Sequence, residues 1–512
     1  MDRKHRTGNS ILRAVFVGIS LLLQIGWLLV RLIRLNEYSM GISILTGILA
    51  VVVVLRLYSD QSTTSAMKMP WILLITVFPV MGLSLYLLLD VFQDIGKTGK
   101  QFASIQKELR AFFPGKQPLL ERITKQDPAV GGQCRYLWEH TTSPVYENTA
   151  VRYFAEAADA FEILKAEAEQ AEKFIFLEYF IVNDGSACRE LFEILHRKVQ
   201  QGVEVRLMYD DVGSIGYVNF KFVKEMNALG IRCKVFNPAL PFLNLFMNHR
   251  DHRKIAVFDG KVAFTGGFNL SDEYFGRKFP YGKWKDTGIR LEGEAVKSLT
   301  AEFLEMWNMG EKTRDEYARY LSVEHSLPDA GGFVQPYSDN PLGKERAAEN
   351  VYLNLICSAQ RELYLFTPYL IISDEMNRAL GLAAKRGVDV RIITPGIPDK
   401  RTVYAVTRSY YGGLVSQGVR IFEWEPGFCH AKQCLCDGKI ASIGTSNLDY
   451  RSLYHHFENN VLLYDCDAVA QMAEDFDKTF LQCREVTQRY RSGRHSFLFL
   501  WQGLLRLFAP LL

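Results

Sequence analysis

The chain repeats itself at the spacing of a whole domain, and no other feature limits its fold as much. Phe174–Phe180 (FIFLEYF) is echoed by Leu363–Leu370 (LYLFTPYL), Gly202–Arg206 (GVEVR) by Gly387–Arg391 (GVDVR), and Gly230–Phe236 (GIRCKVF) by Gly418–Phe422 (GVRIF). The offset stays near 180–190 residues, too long for a solenoid repeat. From about residue 150 onward, apolar strand-like runs alternate with helical stretches, the pattern of an α/β sandwich. Two fused copies facing each other across a pseudo-two-fold would bring equivalent strand ends to one cleft. The predicted organisation is a membrane region over 1–95, a linker over 96–150, sandwich half-domains over 151–325 and 326–490, and a tail over 491–512.

What lies at the repeated strand ends sets the chemistry. Copy one reads His252-Arg253-Lys254, then Asp259, then Gly266-Gly267-Phe268-Asn269. Copy two reads His430-Ala431-Lys432, then Asp437, then Gly444-Thr445-Ser446-Asn447. The shared order is His-x-Lys-x4-Asp with an Asn placed 17 residues after the His in both copies. His and Lys two apart on a strand project to one face. The Asp-Gly pair after each apolar run is a hairpin turn, so Asp259 and Asp437, though part of the motif, are expected to hold backbone geometry.

Each residue type fits phosphoryl chemistry. A neutral imidazole is a competent nucleophile, and a protonated one can give its proton to a leaving alkoxide. Lys254 and Lys432 would offset charge on the non-bridging oxygens, and Asn269 and Asn447 would donate hydrogen bonds to them. Gly267 lets backbone approach a phosphate, and Ser446 stands in the same stretch of the second copy. An orienting carboxylate is needed on the other nitrogen of each His; Asp286 and Glu458 lie downstream at matching stages of the two copies. A single such motif arises by chance, but a duplicate in register does not. A metal site made from His252, His430, Asp286 and Glu458 is disfavoured, because two lysines in the same cavity repel a divalent cation. No metal or cofactor is expected. His456 and His455 read as local packing.

Three apolar runs precede residue 90, at Ala14–Val30, Met40–Leu55 and Pro70–Leu89. A span takes about 20 predominantly apolar residues, so two or three membrane helices are predicted. Arg3, Lys4, Arg6 and Arg13 place the N-terminus inside. Ser496–Leu512 reads as an interfacial helix, with a terminal helix docked on the core as the alternative. The net charge of +3, from 60 basic and 57 acidic residues, provides no field for nucleic acid. Nine scattered cysteines without a Cys-x-x-Cys pair read as reduced thiols, which favours a cytoplasmic catalytic region.

The paired motifs resemble the phospholipase D superfamily, and the longer match is to bacterial cardiolipin synthases. It runs through Asn248–Lys254, Gly266–Tyr274, Trp284–Thr287, Gly427–Lys432 and Gly444–Ser452. The resemblance implies a multi-pass enzyme of the bacterial plasma membrane with two phospholipase D-like α/β/α half-domains. It further implies that two phosphatidylglycerol molecules give cardiolipin and glycerol through a phosphohistidine, with no metal or nucleotide. His252 is then the nucleophile and His430 the acid and base. A hydrolytic phospholipase D or a phosphatidylserine synthase would use the same residues.

Overall fold

The protein is described from a computed structural model. It covers residues 40–491 except 61–63, 88–94, 116, 142, 220, 239–248, 312 and 326–329, with isolated positions in 22–29 and 503–509. The predicted first apolar run therefore falls outside the described residues, apart from those isolated positions. In the C-terminal stretch, by contrast, Ala509 is buried in the core of the second half, Leu505 packs against it and Arg506 donates to Ser409 at 3.1 Å.

Two sheets built to one plan make up the body. The first half contributes β1 (Thr149–Phe154), β2 (Phe174–Tyr179), β3 (Glu204–Asp210), β4 (Arg232–Phe236), β5 (Arg250–Asp251), β6 (Lys254–Phe258), β7 (Val262–Gly266), β8 (Lys283–Lys285) and β9 (Gly288–Gly293). The second contributes β10 (Phe333–Asp339), β11 (Glu362–Phe366), β12 (Asp389–Pro395), β13 (Arg420–Trp424), β14 (Gly427–Cys429), β15 (Gln433–Cys436), β16 (Ile440–Gly444), β17 (His456–Tyr464) and β18 (Cys483–Glu485). The first sheet runs β1-β9-β7-β6-β2-β3-β4, and the second β10-β17-β16-β15-β11-β12-β13-β18. Strand for strand the first seven positions correspond. Along these two paths β2-β3-β4 and β11-β12-β13 pair in parallel, which requires helical crossovers such as Ser186–Gln200 and Asp374–Lys385. The β5 strand joins the second sheet beside β17.

The halves are joined by a common core. Phe176, Ile255 and Val257 of one sheet and Phe366, Leu435 and Val461 of the other belong to one buried cluster with the helices Val296–Asn308 and Asp467–Phe480. In Val296–Asn308 every residue but Lys297 is buried, as expected of a helix layered between two sheets. Outer faces are closed separately, over Phe161, Leu164 and Leu191 in the first half and over Val351, Leu355 and Leu380 in the second.

Two predictions change at this level. The stretch 96–150 is not a bare linker: it holds the helices Ile95–Arg110, Gln117–Gln126 and Pro128–His140. Phe102, Ile105 and Leu109 seal the common core, and Leu120, Ile123 and Leu137 seal the second half. Apolar residues at three- and four-residue spacing signal these helices, and they were outweighed by their polar faces. The run Pro70–Leu89 is two shorter helices, Ser65–Val77 and Pro79–Tyr86, bent at Phe78. Pro79 cannot continue the preceding helix, having no N–H to donate. Gly82 allows the second helix to lie against the first, since a Cβ there would come within 2.6 Å of Ile75 Cα. Among the described residues no helix is long and apolar enough to cross a membrane. The helix Met40–Ser59 nevertheless turns Leu45, Ile48, Val51 and Leu55 outward, each more than half exposed. All nine cysteines are free thiols, and Cys434 and Cys436 share one face in the core.

Candidate active site

Each motif reaches the site on a short strand bound to the other half. The β5 strand, which leads into His252, pairs in parallel with the start of β17, Arg250 opposite His456 and Asp251 opposite Phe457. The β14 strand, which leads into His430, pairs in parallel with β8, Phe428 opposite Trp284 and Cys429 opposite Lys285. The backbone N–H of His252 donates to Phe457 O at 2.9 Å and that of His430 to Lys285 O at 2.7 Å. The residues next along β17 and just past β8 are Glu458 and Asp286, so each half delivers its carboxylate to the other half's histidine. His252 Nδ1 lies 2.9 Å from both carboxylate oxygens of Glu458. His430 Nδ1 lies 2.6 Å from Asp286 Oδ2.

At His252 the carboxylate takes the Nδ1 proton, which leaves the Nε2 lone pair free. At His430 the same nitrogen has two competing partners, Asp286 and Lys432 Nζ at 2.8 Å, and Nε2 points away from both. Burial, followed by the lysine charges, holds both imidazoles well below the ordinary histidine range. The charges acting on His252 include His430 and Lys432 from the other half, so the two motifs lie within electrostatic reach of each other. Burial also lowers Lys254 to about 7 and Lys432 to about 8. Each lysine turns back on its own histidine: Lys254 Nζ donates to His252 O, and Lys432 Nζ donates to His430 O. Burial raises Asp286 to about 7 and raises Glu458, while Lys432 and Lys254 favour their ionised forms. The Thr445 hydroxyl also donates to Glu458, a contact without a sequence signal.

The remaining predicted site residues sort differently. Asp259 accepts from the N–H groups of Glu172, Lys173 and Phe174 at 2.7–2.8 Å. Asp437 accepts from those of Gln360, Arg361 and Glu362 at 2.7–3.0 Å. Both have positive φ, 55° and 54°, and are followed by glycines at 68° and 67°, as a two-residue hairpin turn requires. Though part of the motif, these two stand at the far ends of β6 and β15 and hold backbone. The reading of Gly267 is corrected. Its N–H donates to Thr287 O at 3.0 Å, and a Cβ there would sit 2.0 Å from Asp286 Oδ1, so glycine makes room for the carboxylate rather than for a phosphate. Asn269 accepts from Ile181 N–H at 3.0 Å and donates to Tyr274 Oη at 2.7 Å, tying its loop together. Asn447 Oδ1 is buried without a partner. Ser446 Oγ accepts from Asn460 at 2.8 Å, which leaves its proton available.

Aromatic residues finish the walls, and the motif search missed them. Around His430 the ring centroids of Tyr274, Trp284 and Phe428 lie at 5.4, 5.7 and 5.7 Å. Around His252 stand Phe180 at 4.9 Å and His456 at 5.3 Å. Trp284 and His456 each precede their carboxylate by two residues, and the period of a strand could have placed both in the site. Donor atoms of His252, His456 and Glu458 lie within 4.8 Å of one another, a spacing that a metal ion accepts. His252 and Glu458 are already bonded to each other, however, and the Lys254 charge bears on both.

Known proteins carry the same arrangement of sequence. A family profile described as "Cardiolipin synthase, PLD-like domain" matches residues 164–307 and 352–480. A second, "Phospholipase_D-nuclease N-terminal", matches 47–89. A cardiolipin synthase of Geobacillus kaustophilus is 32% identical over 99% of each chain. A cardiolipin synthase of Alkalihalophilus pseudofirmus is 34% identical over 86% of this chain and 88% of its own. An uncharacterized protein of Streptococcus mutans is 42% identical over 90% of this chain and 99% of its own. Among solved structures, a phosphatidylserine synthase of Haemophilus influenzae shares the fold, with a TM-score of 0.54 at 14% identity over 74% of this chain and 97% of its own. The chain belongs to the cardiolipin synthase family of phospholipase D-like proteins.

Proposed function

We propose that this member of the cardiolipin synthase family transfers a phosphatidyl group from one phosphatidylglycerol to another, through a phosphohistidine on His252. One observation carries the reading: two buried imidazoles from opposite halves, each with Nδ1 on the other half's carboxylate and Nε2 free. That geometry suits a nucleophile on one side of a phosphorus and a proton donor on the other. An anionic phosphodiester between the rings favours a proton on one of them. His252 Nε2 attacks phosphorus while His430 Nε2–H protonates the departing glycerol oxygen. Glycerol leaves. The terminal headgroup hydroxyl of a second phosphatidylglycerol then gives its proton to His430 and attacks phosphorus, and the bond to His252 breaks. Glu458 stabilises the cationic phosphoimidazole, and Lys254 and Lys432 offset charge on the equatorial oxygens.

Burial of the pocket disfavours water as acceptor. The outward aliphatic side chains of Met40–Ser59 and the N-terminal profile match over 47–89 support anchoring at a bacterial membrane, where lipid substrates arrive by lateral diffusion. We assign the catalytic region to the cytoplasmic side, in keeping with its nine free thiols. The test is product analysis with the purified full chain and vesicles containing phosphatidylglycerol. Cardiolipin and glycerol in equal amounts are expected. Phosphatidic acid as the main product would make the protein a hydrolase, and transfer only to added serine would make it a phosphatidylserine synthase.

A further inference from the structure

After its Gly-x-x-Asn turn, the first half closes on itself. Asn269 is bonded at both ends of its amide, Ser271 Oγ donates to Glu273 at 2.6 Å, and Asp272 binds Lys278 at 2.8 Å. The equivalent stretch of the second half stays open. Asn447 Oδ1 and both ring nitrogens of His456 are buried without a hydrogen bond, and His456 is only 7% exposed. Among the described residues the guanidinium of Arg451, half-buried, has no hydrogen bond or ion pair. The nearby Asp449 is engaged with Ser452 N–H at 2.8 Å and with Asn447. Arg451 and His456 bracket one turn, His456 N–H donating to Arg451 O, and among all charges Arg451 acts most strongly on the His456 ring. The turn that carries Arg451, Arg451–His455, is π-helical, a local irregularity that recurs at functional sites.

A buried imidazole with no partner is costly unless a ligand completes it, and the half-buried guanidinium beside it stands ready to pair with an anion. The chemistry says which ligand. An acceptor phosphatidylglycerol carries a phosphodiester of its own, joined through the glycerol carbons to the hydroxyl that attacks. Lys254 and Lys432 face the reacting phosphate, so the second anion needs another cation. We propose that Arg451 and His456 form the subsite for the phosphodiester of the acceptor lipid. Arg451 pairs with its oxygens as a fork, and His456 donates from the ring nitrogen turned away from Glu458. His456 Nδ1 is 3.5 Å from that carboxylate. This inference rests on the phosphatidyl-transfer reading above.

Two acceptors separate the subsite from the chemistry. With phosphatidylglycerol vesicles, the full-length protein is expected to form cardiolipin and also to exchange labelled glycerol into phosphatidylglycerol, because glycerol resolves the same intermediate but carries no phosphate. In Arg451→Ala and His456→Ala the ratio of cardiolipin formation to glycerol exchange should fall about tenfold or more, mainly through the KM for lipid acceptor. Arg451→Lys should recover part of that ratio, which guards against a folding defect. An unchanged ratio, or both reactions falling together, overturns the subsite. Inorganic phosphate should leave the wild-type ratio unchanged; a ratio that falls with phosphate as it does in the variants assigns the subsite to the free anion and overturns the lipid reading. If the wild-type protein makes no cardiolipin, the failure belongs to the proposed function instead.

Discussion

Around His430 the wall is Tyr274, Trp284 and Phe428, whereas around His252 it is Phe180 and the imidazole of His456. The strands behind these walls superimpose in order, and the two crossed carboxylate pairs are built alike. Duplication therefore fixed the reacting groups, and divergence of their neighbours made the two sides chemically unlike. In the proposed mechanism, an aromatic wall keeps water from His430, the group that handles protons. A polar wall with an unpaired Arg451 beside it leaves room for an anion. A symmetric reaction centre can in this way treat donor and acceptor lipids differently.

The largest test of that asymmetry is to remove each imidazole. His252→Ala and His430→Ala should each lower cardiolipin formation by about 10⁴-fold or more, yet only His430→Ala should retain the nucleophile. A labelled phospho-adduct trapped on His252 in the His430→Ala protein, and none in His252→Ala, is the expected result; an adduct on His430 would reverse the assignment of roles.

Next come the crossed carboxylates. Glu458→Gln and Asp286→Asn keep size but lose the negative charge on Nδ1, and each should cost about 10²–10⁴-fold in kcat. Glu458→Gln should slow adduct formation on His252, a residue of the other half. If single-turnover kinetics show Glu458→Gln acting only at the proton transfer and Asp286→Asn only at the adduct, the crossing carries no functional weight.

The lysines give a pH signature. Lys254 is held at about 7 and Lys432 at about 8, both lowered by burial, so their positive charge is present below those values and is lost as pH rises through them. Turnover should fall roughly tenfold or more between pH 7 and 9. The stability effect has the opposite sign, since a buried charge that titrates below its unfolded value of 10.5 weakens the fold most at low pH. Lys254→Met should therefore raise Tm at pH 6–7 by a few degrees, at roughly 2–4 °C per kcal/mol, while abolishing activity. A lower Tm would show that the lysine is part of the scaffold.

The smallest effect on chemistry is expected at the turns. Asp259→Ala and Asp437→Ala each remove an acceptor of three backbone N–H groups and should cost about 2–4 kcal/mol of stability. The turnover of the folded fraction should stay within about threefold of wild type. A much larger loss of kcat at unchanged Tm would place these residues in the catalytic set.

Much of this was legible beforehand because it repeats. The His and Lys pairs, the two carboxylates, the Asp-Gly turns and the two-sheet plan all follow from local periodicity and a domain-length offset. The helices of 95–140 were hidden, because each buries only one narrow face and its partners lie hundreds of residues away. Trp284, His456 and Arg451 looked like ordinary strand and loop residues until the halves met.

The sequence by itself determined the two His-Lys pairs and their turns, since a strand's two-residue period and a hairpin's Asp-Gly are local properties of the chain. Only the tertiary structure decided which carboxylate serves which histidine. That pairing depends on β5 lying beside β17 and β14 beside β8, parallel contacts between segments more than 140 residues apart. No local preference specifies such contacts, because they form only when burial of a shared apolar core brings the two halves together.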